Sequence, residues 1–357
     1  MASTINASNA SGGGIIYSAD SSGTLSLQGA GTTGMSVNSS GQLQMSFGGI
    51  VPQGRLTLAT GTPVMTSAQT SKTTLYYTAY VGNVVPVYNG TVWTLMTFSS
   101  DLSNITTNSS TGSAGPAAVT TNSNYDLFIW SNSGTLTLTR GPAWTSDTAR
   151  GTGAGTTQIA MQNGIWTNAV AITNGPSANQ GTYVGTVRSD GSSQLNWTTG
   201  GAAAGGTAGI LGVWNMYNRV SATAVVQDTT ASWTYGTAAW RAADNSSTNR
   251  VNFIVGFVED SFTASYTNFN YYSGGSTVQV IGLGLNSTTS PMAGGVLPSS
   301  VYTTGTYSGT SAVAGAQPAL GYNYVSAIEY GDGSSSAFYG TYASTHKASN
   351  LTVTTRQ

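Results

Sequence analysis

Residues 125–141 read YDLFIWSNSGTLTLTRG. Two short runs of apolar, aromatic and β-branched residues flank a polar Ser-Asn-Ser-Gly break. Such runs fit the two-residue period of a strand, and the break supplies a turn, so the stretch predicts a β-hairpin. The same grammar recurs in GRLTLATG (54–61), TLYYTAYVG (74–82), VVPVYNGTVWTLMTF (84–98) and NRVNFIVGFVED (249–260). Gly and Asn punctuate these runs at roughly 8–12-residue spacing, the pattern of sandwiches and barrels. In VYNGTVW, Asn89-Gly90 predicts a type I′ turn with positive φ at both residues. EYGDGSSSAFYG (329–340) is a further hairpin candidate. Helix formers are scarce, with two Glu and two Lys in the whole chain. The expected fold is all-β: short N-terminal attachment strands followed by antiparallel β-sandwich or jelly-roll-like domains.

Composition narrows the function classes. The 357 residues are 6% charged and 39% hydrophobic. Soluble proteins average about 25% charged; here Ser, Thr, Asn and Gly fill the gap. No run approaches the roughly 18 consecutive apolar residues of a membrane helix, so no membrane association is expected. The net charge is −1, and no basic run supplies the electrostatic footprint of nucleic-acid binding. With no cysteine, a disulfide scaffold and a thiolate metal site are both excluded. A polar surface with few titrating groups changes little with salt or pH, which suits a protein exposed outside a cell.

The N-terminal region contains a doubled phrase. Asp20-Ser-Ser-Gly-Thr-Leu-Ser-Leu27 returns as Asn38-Ser-Ser-Gly-Gln-Leu-Gln-Met45. Each copy reads as a glycine turn and a short strand, with Leu25 and Leu27, then Leu43 and Met45, at alternate positions. Two such strands are marginal alone in water. Either the segment packs on its own chain, or three chains gather these side chains around one axis. The division expected is a segment 1–48 for attachment or oligomerisation, a β domain 49–200, and a C-terminal β-sandwich 210–357. The tract TTGGAAAGGTAG (198–209) is either a linker or an ordered tight crossing.

The opening MASTINASNASGGGIIYSADSSGTLSLQGAGTTGMSV resembles that of many tailed-bacteriophage virion proteins. These have a Ser/Thr/Asn-rich start, an Ile-Ile or similar pair (here Ile15-Ile16), and a SADxSGxLxLQxxGTT phrase. GGIVPQGRLTLATGTPVMTS (48–67), GPAWTSDTARGTGAGTTQIAMQNGIWTN (141–168) and LGVWNMYNRVSATAVVQDTTASWTYGTAAWRAADNSSTNRVNF (211–253) also resemble phage structural proteins. The resemblance implies a virion location and an N-terminus that anchors to other virion proteins of capsid or tail. Ile15, Ile16, Leu25, Leu27, Leu43 and Met45 are the attachment or oligomer candidates.

Catalytic constellations are not found. The one histidine, His346, has no G-x-S-x-G partner motif, and no H-E-x-x-H exists. RGTGAGTT (150–157) lacks the G-K-[ST] ending of a phosphate loop. GDG (331–333) is too short for a calcium loop. No cofactor, metal or enzymatic activity is expected. Glycoside hydrolysis needs only two carboxylates; Asp228 and Asp244 could meet across a hairpin, whereas adjacent Glu259 and Asp260 would point to opposite strand faces.

Seven of the 21 charged residues fall within 219–260: Arg219, Asp228, Arg241, Asp244, Arg250, Glu259 and Asp260. Two readings compete. In one, Arg219, Arg241 and Arg250 pair with Asp228, Asp244 or Glu259 by the planar two-bond fork, and the nearby Trp rings fill a core. In the other, Trp233, Tyr235 and Trp240 offer flat faces to a host glycan while Arg241 and Asp244 bind its hydroxyls. A smaller set, Asp147 and Arg150, is expected to pin a loop by a local contact. The functions to weigh are a homotrimeric fibre or spike touching the host surface, a capsid decoration protein, and a polysaccharide depolymerase.

Overall fold

The computed structural model describes residues 23–29, 32–45, 49–108, 114–153, 155–271, 278–300, 307–331, 336–341 and 347–357. The fold is all-β. Among the described residues the one helical turn is Ala243–Asn245, and the strands form sheets of eight, seven, six, five and three members.

The decisive stretch is a hairpin. Strands Asn124–Asn132 and Thr135–Ala143 pair antiparallel, with Asn132 opposite Thr135. Ser133 and Gly134 make the two-residue turn, both at positive φ (51° and 90°), which matches the twist of the flanking strands. VYNGTVW is also a hairpin, but its loop is longer than expected. Tyr88 pairs with Trp93, and only Gly90 of the Asn-Gly pair has positive φ. The Asn89 side-chain carbonyl instead accepts the N–H groups of Thr91 and Val92, each at 2.9 Å. EYGDGSSSAFYG is not a hairpin. Gly321–Tyr330 belongs to the eight-stranded sheet and Ser336–Tyr339 to the seven-stranded one.

These two sheets stack as a sandwich. In the seven-stranded sheet, Ala222, Ala224 and Val226, Phe262, Ala264 and Tyr266, and Leu351 and Val353 are all buried. Their neighbours along each strand face outward and are mostly Thr and Ser. Val251, Phe253 and Val255 line the opposing sheet and join the same core; Phe253 and Phe262 touch across it at 5.5 Å between ring centroids. Each large apolar side chain buried this way contributes about 1.5–3 kcal/mol. Strand Ser349–Arg356 lies in the middle of its sheet, antiparallel to both Ser221–Asp228 and Phe262–Tyr271.

The Gly/Ala tract is an ordered crossing. Ala202–Ala203 pairs in parallel with Gln227 and Asp228, and Gly209–Leu211 pairs in parallel with Val251–Phe253 of the other sheet. These two parallel contacts depart from the antiparallel expectation, because the chain here steps between sheets rather than turning back. Glycine is required at Gly200, whose φ is +82° and where a Cβ would meet the Val225 carbonyl oxygen at 2.3 Å. The expected boundary near 200 therefore does not separate hydrogen-bonded units. Gln69–Lys72 pairs with Leu195–Thr198, which pairs with Gly209–Leu211 and so continues into the C-terminal strands. Likewise Val213–Asn215 joins Thr182–Arg188.

The N-terminal meander answers the doubled phrase. Strands Leu25–Gly29, Thr32–Val37 and Leu43–Met45 run antiparallel, and the two copies flank the middle strand. The register aligns Leu25 with Val37 and Val37 with Leu43; it also aligns Leu27 with Met35 and Met35 with Met45. Six apolar residues thus share one face. The meander joins the body where Gln44 and Met45 pair with Thr94 and Trp93.

Candidate functional site

The segment 233–245 positions the candidate site. Trp233–Tyr235 pairs with Ser336–Tyr339 in one sheet, and Trp240–Ala242 pairs with the other, setting Arg241 opposite Glu329. The crossing brings all five proposed glycan contacts into one corner, together with a carboxylate that the sequence reading passes over.

Glu329 is fully buried. Its Oε1 accepts Arg241 Nε and Nη2, both at 2.7 Å, and its Oε2 accepts the Trp233 indole N–H at 2.7 Å. Burial pushes the Glu329 carboxyl up to about 7, against the pull of Trp233 and Arg241. The Arg241 guanidinium lies 3.8 Å from the Tyr235 ring centroid. Trp233 is 9% exposed and stacks on Phe338 at 6.0 Å with 10° between planes. Trp233 is therefore core and offers no open face to a sugar. Tyr235 is half-buried with one face covered by Arg241. Trp240 is half-buried against Tyr330, at 5.4 Å.

Asp228 and Asp244 do come together, through Thr230. Asp228 is fully buried and accepts the backbone N–H groups of Thr230 and Gly205 (both 2.9 Å) and Asn249 Nδ2 (2.7 Å). Asp244 accepts the Thr230 hydroxyl at 2.6 Å and sits at a φ of 53° inside the helical turn. Burial raises the Asp244 carboxyl; the Thr230 hydroxyl opposes this and the Asp228 charge adds to it. Glycosidase carboxylates flank an open space that admits substrate and water. Here Asp228 is sealed and engaged by protein donors, and Asp244 is half-buried.

The expected ion pairs are partly re-partnered. Arg219 binds Glu259 at 2.6 Å and Asp260 at 2.9 Å. Those two carboxylates follow the end of the Arg250–Val255 strand in a turn, so they reach one guanidinium instead of opposite faces. Arg241 takes Glu329 rather than Asp228, Asp244 or Glu259. Arg250 makes no ion pair with any described residue. The expected Asp147–Arg150 contact is replaced by two longer-range pairs, Arg188–Asp147 at 2.6 Å and Arg150–Asp126 at 2.7 Å.

The Asp126 centre is a second feature that sequence reading misses. Asp126 is fully buried. Its Oδ2 accepts Arg150 Nε (2.7 Å) and the Trp144 indole N–H (3.0 Å), and its Oδ1 accepts Arg150 Nη2 (3.1 Å) and the Thr186 hydroxyl (2.7 Å). Arg150 also reaches the Gly256 carbonyl at 2.8 Å and lies 4.3 Å from the Trp144 ring centroid. The available signal was an acid within an apolar strand, YDLFIW for Asp126 and SAIEY for Glu329. A buried charge must be paired.

The attachment candidates divide. Met45 is 6% exposed and is covered by its own chain beside the fully buried Trp93, so it cannot line a seam between chains. Leu43 is half-buried. Leu25 and Leu27 stand 55% and 48% exposed. Ile15, Ile16 and His346 lie outside the described residues. Among the described residues, no cluster of three or more His, Cys, Asp or Glu is arranged to hold a metal ion, and no helix is long and apolar enough to cross a membrane.

No protein-family model matches this sequence, and no curated protein matches it. One solved structure, dimeric latent PorU from Porphyromonas gingivalis, aligns with 67% of the chain at 10% identity and a TM-score of 0.25. The aligned part is 24% of the PorU chain, so this chain spans about a quarter of that protein.

Proposed function

We propose that this chain is a structural protein of a tailed-bacteriophage virion, a homotrimeric fibre or spike subunit that contacts the host surface. The observation that carries the oligomer reading is the apolar face of the N-terminal meander. Leu25, Leu27, Met35, Val37, Leu43 and Met45 share it by register, and its outer strand carries two exposed leucines. Adjacent exposed leucines on a regular strand invite a partner. Three copies around an axis would cover them. The virion reading is supported by the resemblance of residues 1–37 and of the three later stretches.

Light scattering on the full chain tests the seam. The expected mass is that of a trimer, falling to a monomer in the double variant Leu25→Asp/Leu27→Asp. A monomer in both forms sinks the seam. Removing residues 1–48 is the poorer test, since it would strip the strand that pairs with Trp93. An antibody to the chain should label intact particles at a discrete appendage; particles that stay unlabelled would overturn the virion reading.

A capsid decoration protein is the second reading. One observation favours it: Met45 and Trp93 are covered within a single chain, so the inner strand of the meander needs no partner. Monomer mass with label spread over the head would select it.

A further inference from the structure

A cleft of about 190 Å³ opens between the turn that follows strand Thr182–Arg188 and the outer face of the eight-stranded sheet. Arg188, Asp190, Ile210, Arg250, Asn252 and Tyr322 are among its walls. Nearly every polar group there is already engaged. Arg188 donates to Asp147 at 2.6 Å and to Asn124 at 2.9 Å, with its guanidinium 3.9 Å from the Tyr322 ring centroid. Asp190 accepts the N–H groups of Ser192 (2.8 Å) and Gln194 (2.9 Å) and Asn196 Nδ2 (2.7 Å). Asn252 donates to the Gly209 carbonyl at 3.0 Å and accepts the Tyr322 hydroxyl at 2.6 Å.

Arg250 is the exception. Among the described residues it has no ion pair, and its Nε is shielded from solvent without a hydrogen-bond partner. Its guanidinium is 5.1 Å from the Tyr324 ring centroid. The other arginines of the chain all donate to carboxylates or carbonyls, as at Arg55, Arg140 and Arg356. The fields of Arg250 and Arg188 converge within the cleft: burial raises the Tyr322 phenol, and both guanidiniums pull it back. A guanidinium that has no ion pair and whose Nε is shielded from solvent favours an anion beside it, and its planar fork favours a carboxylate.

We propose that this cleft binds a carboxylate-bearing monosaccharide unit through Arg250. The volume holds about six waters at roughly 30 Å³ each, which is the scale of one sugar ring. Apolar Ile210 and the Tyr322 ring line the cleft beside Arg250, an apolar wall with one charged contact. One guanidinium without an ion pair matches the single charge of one carboxylate. The inference deepens the host-contact reading and rests on it for the ligand's source, an acidic surface glycan. It moves the binding site away from Trp233 and its neighbours.

The test is titration of the full chain with sodium glucuronate, glucose and acetate, followed by ligand-observed NMR. Glucuronate should bind about tenfold tighter than either control, and Arg250→Met should weaken it by about tenfold, the scale of one charge-assisted contact. Arg250→Lys, which keeps the charge and loses the fork, should weaken it several-fold and serves if the Met variant does not fold. Equal binding of glucose, equal binding of acetate, or an unchanged affinity in both Arg250 variants would each overturn the site. Particle labelling and chain mass do not involve the cleft. Failure of glucuronate with labelled particles therefore removes the site alone, and glucuronate binding with unlabelled particles keeps the site and removes the host-contact reading.

Discussion

Two buried carboxylates, Asp126 and Glu329, are held by the same three parts. Each accepts an indole N–H, from Trp144 or Trp233, and an arginine, Arg150 or Arg241, that packs on an aromatic ring. They differ in how the guanidinium is met. Arg150 spans both oxygens of Asp126, and the Thr186 hydroxyl adds a fourth donor. Both nitrogens of Arg241 converge on a single oxygen of Glu329, leaving the other to Trp233. Pairing that covers both oxygens offsets more of the cost of burying the charge. At Glu329 burial prevails and the carboxyl rises to about 7. The lesson is that an equal parts list does not make an equal site: the donors are placed differently on the two carboxylates, and at Glu329 burial makes the charge conditional on pH.

The largest expected effect breaks the better-seated centre. Asp126→Ala leaves Arg150 buried without its counter-ion and should cost about 3–5 kcal/mol in denaturant unfolding. A loss under about 1 kcal/mol would mean that the Gly256 carbonyl and Tyr183 suffice for Arg150. The next effect isolates Glu329. Its carboxyl is raised in the fold, so the folded state binds more protons between the unfolded value of 4.5 and about 7. Its contribution is fully present below 4.5 and is lost as pH rises through about 7. The loss amounts to about 3 kcal/mol. Glu329→Gln should flatten that slope in melts taken from pH 4 to 8; a slope unchanged by the substitution would contradict the assignment. Smaller again is the indole contribution. Trp233→Phe should raise the Glu329 titration further, since it removes the donor to Oε2, and should destabilise by about 1 kcal/mol through the lost hydrogen bond. Trp144→Phe should cost a similar amount at Asp126, where the other donors stay in place. The smallest effect is Glu259→Gln, at an exposed carboxylate whose partner Arg219 retains Asp260. It should change stability by less than about 1 kcal/mol and marks the scale of a surface pair.

Strand content was legible because outward Thr and Ser alternate with inward apolar residues, as in Ser221–Asp228 and Ser349–Arg356. The turn of YDLFIWSNSGTLTLTRG was legible for a local reason, since Ser133-Gly134 carries its own backbone preference. Charge partners were not. Arg241 and Glu329 are 88 residues apart, and nothing local at either position names the other. The candidate corner was legible in its members, because Trp233, Tyr235, Trp240, Arg241 and Asp244 are close in sequence. Its sealed character was not, because burial depends on which sheet each strand joins. The Gly/Ala tract shows the same limit. Its composition suits a linker, and only the approach of Val225 to Gly200 reveals a crossing.

The position of Ser349–Arg356 between Ser221–Asp228 and Phe262–Tyr271 has a consequence for biosynthesis. Those two strands leave the ribosome well before the one that hydrogen-bonds to both, and until it arrives each waits with an open edge. The sheet therefore cannot close progressively during translation. Its completion is a late, long-range step of the kind that slows folding and lengthens the interval in which nascent chains can pair with one another. That interval is also when correct closure of the sheet and misassembly compete.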